Sequence, residues 1–361
     1  KDICKRYDIK AFSSNYTLYG DMSRRVMRTL SEFVPEMEIY SIDEAFLNFT
    51  GFREADIIEF SKEIRRTVLK HTGIPVSIGI GPTKVLSKVA NKIAKKNKTL
   101  SQGVFSILGK EIQDKCLKTF PTEDIWGIGA QSAKKLAQHK IFTAAQLRDS
   151  NEYLIQKELT VVGKRIVEEL RGTSCIDLEL IQNDKKQIIS SRSFGKPITK
   201  IEDLKESIAN HVSTSFVKLR KQKSIARTII VFIHTNRFKN TPQYYNSGSI
   251  EMISGTSVTN KAINAAFSVL ERILKPGFEY KKAGVILADI APKNLSQLDF
   301  FNKHDTVKED AVMLALDTIN NREGKGTVQF AACGISKFWE MASRMKSQAY
   351  TTRWLEILEI D

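Results

Sequence analysis

Two adjacent acids inside an apolar run, Tyr40-Ser41-Ile42-Asp43-Glu44-Ala45-Phe46, most constrain how this chain can fold. Residues 38–49 are rich in Ile, Tyr and Phe and read as extended structure, yet successive strand residues face opposite sides of a sheet. Asp43 and Glu44 can therefore share one site only if the strand ends or twists there. Ile39, Ile42, Phe46, Leu47 and Phe49 are expected to bury the segment, and two unpaired acids in such surroundings are costly unless a cation meets them. Mg²⁺ takes oxygen ligands and keeps waters or substrate phosphates in its shell, which suits a sparse carboxylate site. A solvated turn between two short strands is the alternative for the same residues.

The flanking sequence supplies partners for this segment. Residues 21–35 place Met22, Val26, Met27, Leu30 and Phe33 at helical spacing. A second helix over 54–70 turns Ile57, Ile64 and Val68 inward, with Gly73 just past its end. A short buried strand over 76–80 turns at Gly79-Ile80-Gly81-Pro82-Thr83-Lys84 into a helix over 82–96, and a further strand follows over 103–107. This alternation predicts one sheet with helices on it, an α+β domain. On the helix over 82–96, Val85, Val89 and Ile93 form the inward stripe, while Lys84, Lys88, Lys92 and Lys95 form another. Residues 79–110 hold seven lysines and no acid, so the second stripe suits phosphate as well as solvent. Acids that hold divalent cations beside lysines that hold phosphates point to phosphoryl or nucleotidyl transfer.

At 361 residues the chain exceeds one ordinary core, and two to four domains are expected. Residues 109–172 read as all-helical, with Gly-bearing turns at Trp126-Gly127-Ile128-Gly129 and Val161-Val162-Gly163-Lys164. The first turn leads into a helix over 130–138, as in a helix-hairpin-helix, where glycines let backbone N–H groups approach a DNA phosphate. Lys134 and Lys135 follow it; an ordinary αα turn is the alternative. A polar linker over 177–187 precedes strands at 187–194, 226–234, 249–253 and 283–290 and helices at 201–221 and 260–274, the element order of a ferredoxin-like unit.

Charge identifies the class of partner. The chain carries a net +15, and residues 185–293 alone hold 19 Lys/Arg against 7 Asp/Glu, an imbalance suited to a phosphate backbone. No apolar run is long enough to span a bilayer, and no lipidation motif accompanies the charge. Cys4, Cys116, Cys175 and Cys333 are scattered without a CxxC pair, as expected of reduced thiols in a cytoplasmic protein.

Taken together, Ser41-Ile42-Asp43-Glu44-Ala45-Phe46, Gly79-Ile80-Gly81-Pro82-Thr83-Lys84 and Trp126-Gly127-Ile128-Gly129 resemble the Y-family translesion DNA polymerases. Ser190-Ser191-Arg192-Ser193-Phe194-Gly195 is similar to the opening of that family's little finger. Ser13-Ser14-Asn15-Tyr16-Thr17-Leu18-Tyr19 and Tyr350-Thr351-Thr352-Arg353 are similar to its UmuC-like branch. The resemblance implies an error-prone polymerase of the SOS response. Its domains would be a palm with a remnant of the fingers over 1–108, a helical thumb over 109–175 and a linker over 176–186. A little finger over 187–292 and a C-terminal extension over 293–361 would complete it.

By the same resemblance, Asp43 and Glu44 are two of three metal-binding carboxylates. Asp43 would bridge both Mg²⁺ ions, and Glu44 would serve the ion that activates the primer 3′-hydroxyl. Lys95 would contact the incoming triphosphate, although Lys96 stands where many relatives have proline. DNA contacts would fall on Lys84, Lys88, Gly127, Gly129, Lys134, Arg192 and Ser193. Gln297-Leu298-Asp299-Phe300-Phe301 resembles the sliding-clamp peptide, with Gln297, Leu298, Phe300 and Phe301 as its anchors. Primed template DNA, deoxynucleoside triphosphates, a sliding clamp, a UmuD-type accessory subunit and a RecA filament are the implied partners.

The chain starts at Lys1-Asp2-Ile3-Cys4, without an initiator Met. The resemblance puts the third carboxylate, the steric-gate aromatic and the first palm strand upstream, so residues 1–361 alone are expected to bind primed DNA without extending it. A DNA-binding module without catalysis is the alternative function. A repair nuclease or glycosylase lacks a suitable His or Lys-Asp pairing here.

Overall fold

A computed structural model describes residues 2–96, 102–181, 183–295 and 306–359. The chain divides into two compact units, one of Lys1–Gln182 with Met345–Asp361, the other of Asn183–Arg344. No described helix is long and apolar enough to cross a membrane.

The first unit opens with α1 (Asp2–Arg6) and α2 (Tyr16–Ser31), whose N-cap Asn15 accepts from the Leu18 N–H. A hairpin of β1 (Met37–Ile39) and β2 (Ala45–Leu47) follows, then α3 (Glu54–Thr72), which ends at left-handed Gly73 as its sequence suggests. Next come β3 (Ile78–Ile80), α4 (Lys84–Lys96) and β4 (Val104–Ser106). Val26, Met27 and Leu30 of α2 close on Ile64 and Val68 of α3, with Met37, Leu47, Phe49 and Ile78 packed against them. The one sheet expected from the alternation is not formed. The described strands make two pairs, β1–β2 antiparallel and β3–β4 parallel, of three residues per strand. Side chains such as Phe49 and Ile78 unite the pairs over α2 and α3, in place of a backbone ladder.

Between β3 and α4 the backbones touch. A Cβ on Gly79 would lie 2.0 Å from the Asn91 nitrogen and 2.4 Å from the Ser87 carbonyl oxygen. The glycine therefore serves close packing of strand on helix. The inward face of α4 (Val85, Leu86, Val89, Ala90) joins a second core with Leu117, Leu136, Leu147, Ile155, Ile166 and Leu170. Those residues come from α5 (Lys110–Thr119), α6 (Ala130–Gln138), α7 (Ala144–Arg148) and α8 (Glu152–Leu170). Within α8, Thr160 leaves helical geometry (φ 64°, ψ −170°) and breaks the helix just before Gly163.

The second unit runs β5 (Ile188–Ile198), α9 (Ile201–Lys221), β6 (Ser224–Thr235), β7 (Tyr245–Thr256), α10 (Thr259–Ile273) and β8 (Tyr280–Pro292). The element order is as expected, but the sheet order is β5-β8-β6-β7, all antiparallel. A ferredoxin-like sheet would hold its first strand centrally; here β5 is an edge, because the long strand β8 returns between β5 and β6. Phe194, Leu204, Ile208, Val212, Phe216, Val269, Leu270, Val285 and Leu287 fill the core between sheet and helices.

The sequence expected as a C-terminal extension is shared between the units. Helix α11 (Thr306–Glu323) is held on the second unit by a two-pronged Arg220–Asp317 pair at 2.7 and 2.8 Å. Buried Trp339 donates to Glu206 at 2.8 Å and packs against Phe194. In the first unit, the Ser13 N–H donates to the Met345 carbonyl at 2.7 Å, and the Asn15 amide donates to the Ser347 carbonyl at 3.0 Å.

Candidate functional site

β1 ends at Ile39 and β2 begins at Ala45, so the adjacent acids sit on the turn between strands. The Tyr40 and Ser41 N–H groups both donate to the Glu44 carbonyl, at 3.1 and 3.0 Å, which loops Ile42 and Asp43 outward. Burial of both acids is thereby corrected: Ile39 is 58% and Ile42 37% exposed, and Asp43 is exposed as well. Asp43 Oδ1 accepts the Ser41 hydroxyl at 2.6 Å. Glu44 turns back instead and pairs with Lys88 of α4 at 2.6 Å. The turn solves the problem of two acids on opposite strand faces, because strand alternation no longer applies there.

The acid turn and α4 both line an open cleft of about 1770 Å³, with Asp43, Glu44, Lys88, Asn91 and Lys95 among its lining. Lys88 lies 5.2 Å from the centre of the Tyr40 ring and 5.8 Å from that of Phe46, so aromatic faces and a carboxylate hold its ammonium together. Trp126, legible in the sequence only as the start of the Gly turn, donates to the Tyr40 hydroxyl at 3.0 Å.

Most of the lysine stripe is already engaged. Lys84 is buried, pairs with Glu38 of β1 and donates to the Asp177 carbonyl at 2.6 Å. The expectation that Lys84 contacts DNA is therefore corrected: its charge is consumed inside the fold. Lys92 and Lys96 share Asp124, whose carboxyl the Lys92 hydrogen bond holds below the usual carboxylate range. Lys88 is committed to Glu44, whereas Lys95 is exposed at the cleft wall. Glu38 and Glu169, the buried acids that fix α4, carry no local sequence signal, because their partners are distant in the chain.

For a divalent ion, the residues fit as part of a site. Asp43 and Glu44 offer oxygens from one turn, and Mg²⁺ readily completes its shell with water and phosphate oxygens. Among the described residues no group of three acidic, His or Cys side chains converges.

Gly127 is left-handed (φ 88°), and a Cβ there would lie 2.8 Å from the Ile166 side chain, so the turn requires glycine. Gly129 has open space where a side chain would stand and precedes α6 with no side-chain cap, leaving first-turn N–H groups to the outside. Lys134 is exposed beyond it, while Lys135 donates to the Glu158 carbonyl at 3.0 Å. Arg192 reaches solvent from edge strand β5, and Ser193, paired in register with Lys282, is half-buried. Gln297, Leu298, Phe300 and Phe301 lie outside the described residues.

Comparison with known proteins finds relatives along the whole chain. The impB/mucB/samB family profile matches residues 1–92, and the C-terminal domain profile of the same family matches residues 185–300. A domain of unknown function, DUF4113, matches residues 310–360. Protein UmuC of Salmonella typhimurium is 40% identical, covering 100% of this chain and 86% of that protein. Protein MucB of Escherichia coli is 34% identical over 99% of this chain and 85% of its own length. Among solved structures, a chimera of the Dbh and Dpo4 Y-family DNA polymerases superimposes with a TM-score of 0.58 at 21% identity, covering 77% of this chain and 78% of that one. That likeness establishes the fold, and the sequence matches establish the lineage. The chain belongs to the impB/mucB/samB family, with protein UmuC among its relatives, and has the fold of a Y-family DNA polymerase.

Proposed function

We propose that this chain carries out template-directed, error-prone nucleotidyl transfer past damaged template bases, as part of the SOS response. The carrying observation is the juxtaposition on one cleft of the Asp43–Glu44 turn with helix α4, sealed by the Glu44–Lys88 pair. In this reading a primer 3′-hydroxyl attacks the α-phosphate of a deoxynucleoside triphosphate and pyrophosphate leaves. Divalent ions at the turn, Mg²⁺ by chemistry, would stabilise the attacking and leaving oxygens. The residues supply the rest: Asp43 and Glu44 present carboxylate oxygens, Lys95 faces the triphosphate, and Lys88 holds Glu44 in place. Palm and thumb over 1–175, the little finger over 187–292 and a clamp-binding peptide at Gln297–Phe301 complete the proposed layout. Primed DNA, the sliding clamp, a UmuD-type subunit and a RecA filament are the proposed partners.

The test is primer extension on a defined template, with and without a lesion, by the full-length polymerase and by residues 1–361. Incorporation by the full-length protein supports the reading; its absence with every divalent metal tried overturns it. A second reading, DNA binding without extension by residues 1–361, is favoured because no group of three acidic, His or Cys side chains converges among the described residues. Extension by residues 1–361 themselves would exclude that second reading.

A further inference from the structure

Glu169, in the last turn of α8, is fully buried and does not line the cleft. A buried carboxylate is costly unless its oxygens are filled, and three backbone N–H groups fill these. The Val85 N–H donates to Oε2 at 3.1 Å, and those of Cys175 and Ile176 donate to Oε1 at 2.8 and 3.1 Å. The Glu169 carbonyl accepts the Thr83 hydroxyl at 2.8 Å, and that hydroxyl accepts the Leu86 N–H at 3.3 Å. Val85 and Leu86 stand in the first turn of α4, where N–H groups lack partners inside the helix. Negative charge at a helix N-terminus is also favourable.

So the N-terminus of α4, where a phosphate could otherwise bind, is capped by a carboxylate from the last turn of α8. Glu38 completes the clasp from the other side, pairing with Lys84 and accepting the Glu179 N–H at 3.0 Å. The beginning of α4 is thereby fixed from both sides, and what α4 can offer a triphosphate is its lysine face further along. The orientation of that face toward the acid turn depends on where its first turn is seated.

We infer that Glu169 is a positioning residue for nucleotidyl transfer: it seats α4 so that Lys88 and Lys95 face Asp43 and Glu44. The inference rests on the proposed function, and its test separates the two. In the full-length polymerase, Glu169→Gln keeps one carbonyl acceptor but turns an NH2 group toward backbone donors. The expected result is a rise of about tenfold in KM for the nucleotide, with kcat and primer–template affinity changed by less than about twofold. Glu169→Asp recovers part of the loss, and Thr83→Ala shifts KM in the same direction while Thr83→Ser does not. A residue that only supported the fold would lower thermal stability and the active fraction, so that apparent kcat and DNA-binding capacity fall together while KM stays unchanged; that pattern overturns the inference, as does an unchanged KM in folded Glu169→Gln.

Hydrogen exchange reads the seat without catalysis. Faster exchange at the Val85 and Leu86 amides of Glu169→Gln, with α2 and α3 unaffected, supports the capping, and unchanged exchange overturns it. If the capping holds but the wild-type polymerase incorporates nothing, the functional reading fails.

Discussion

His211 of α9 is nearly fully buried, sharing a hydrogen bond of 3.0 Å with the Ser190 hydroxyl through Nδ1 while Nε2 has no partner among the described residues. Burial, and then the nearby charges of Arg192 and Lys282, push its pKa from 6.5 down to about 4. The unfolded chain therefore binds the extra proton first as pH falls. Stability from this group is complete above about pH 6.5 and is lost on the way down to about 4. From pH 7 to pH 5 the second unit should lose about 2 kcal/mol of unfolding free energy through this residue. In His211→Gln, denaturant unfolding at the two pH values should lose that difference; an unchanged difference would place the titration elsewhere. Residue roles were unevenly legible in the sequence. Asp43 and Glu44 stood out because adjacent acids in an apolar run need an explanation, whereas Lys84 looked like its neighbours. Only the fold shows that Glu38 consumes its charge.

Helix α4 is the element that joins the chemistry to the scaffold. Its inward face belongs to the core with α5 to α8, its first turn is capped by Glu169, and its backbone rests on Gly79 of β3. Gly79→Ala would drive a Cβ into backbone atoms on α4 that cannot rotate away. It should cost about 3 kcal/mol of stability and depress incorporation with it, as read by urea unfolding and primer extension. Near-normal stability would mean that β3 and α4 are not in direct backbone contact. Helices were visible in the sequence because their apolar spacing and caps are local, as at Gly73 and over Ile201–Lys221. Strand pairing was not: three-residue strands leave no period to read, and the placement of β8 between β5 and β6 is a long-range choice. The hairpin turn that frees both acids from strand alternation was legible only as an alternative.

Across the whole molecule, charge separates into a cleft where acids and lysines neutralise one another and a second unit whose cations outnumber its acids. If Arg192 and Lys282 each meet a DNA phosphate, replacing both with Ala should lower the slope of log affinity against log salt by about two units. An unchanged slope would move the DNA-binding surface elsewhere. The cationic excess of residues 185–293 was readable from composition; the sharing of the last residues between the units was not, since it rests on single contacts such as those of Trp339 and Asn15.

In the proposed function the Asp43–Glu44 turn holds the catalytic ions beneath a nucleoside triphosphate. Single-turnover incorporation by Asp43→Ala in the full-length polymerase, with primer–template affinity measured alongside, tests it most directly. Incorporation should fall by at least about a hundredfold with DNA affinity nearly unchanged. Incorporation within a few-fold of wild type would contradict the account.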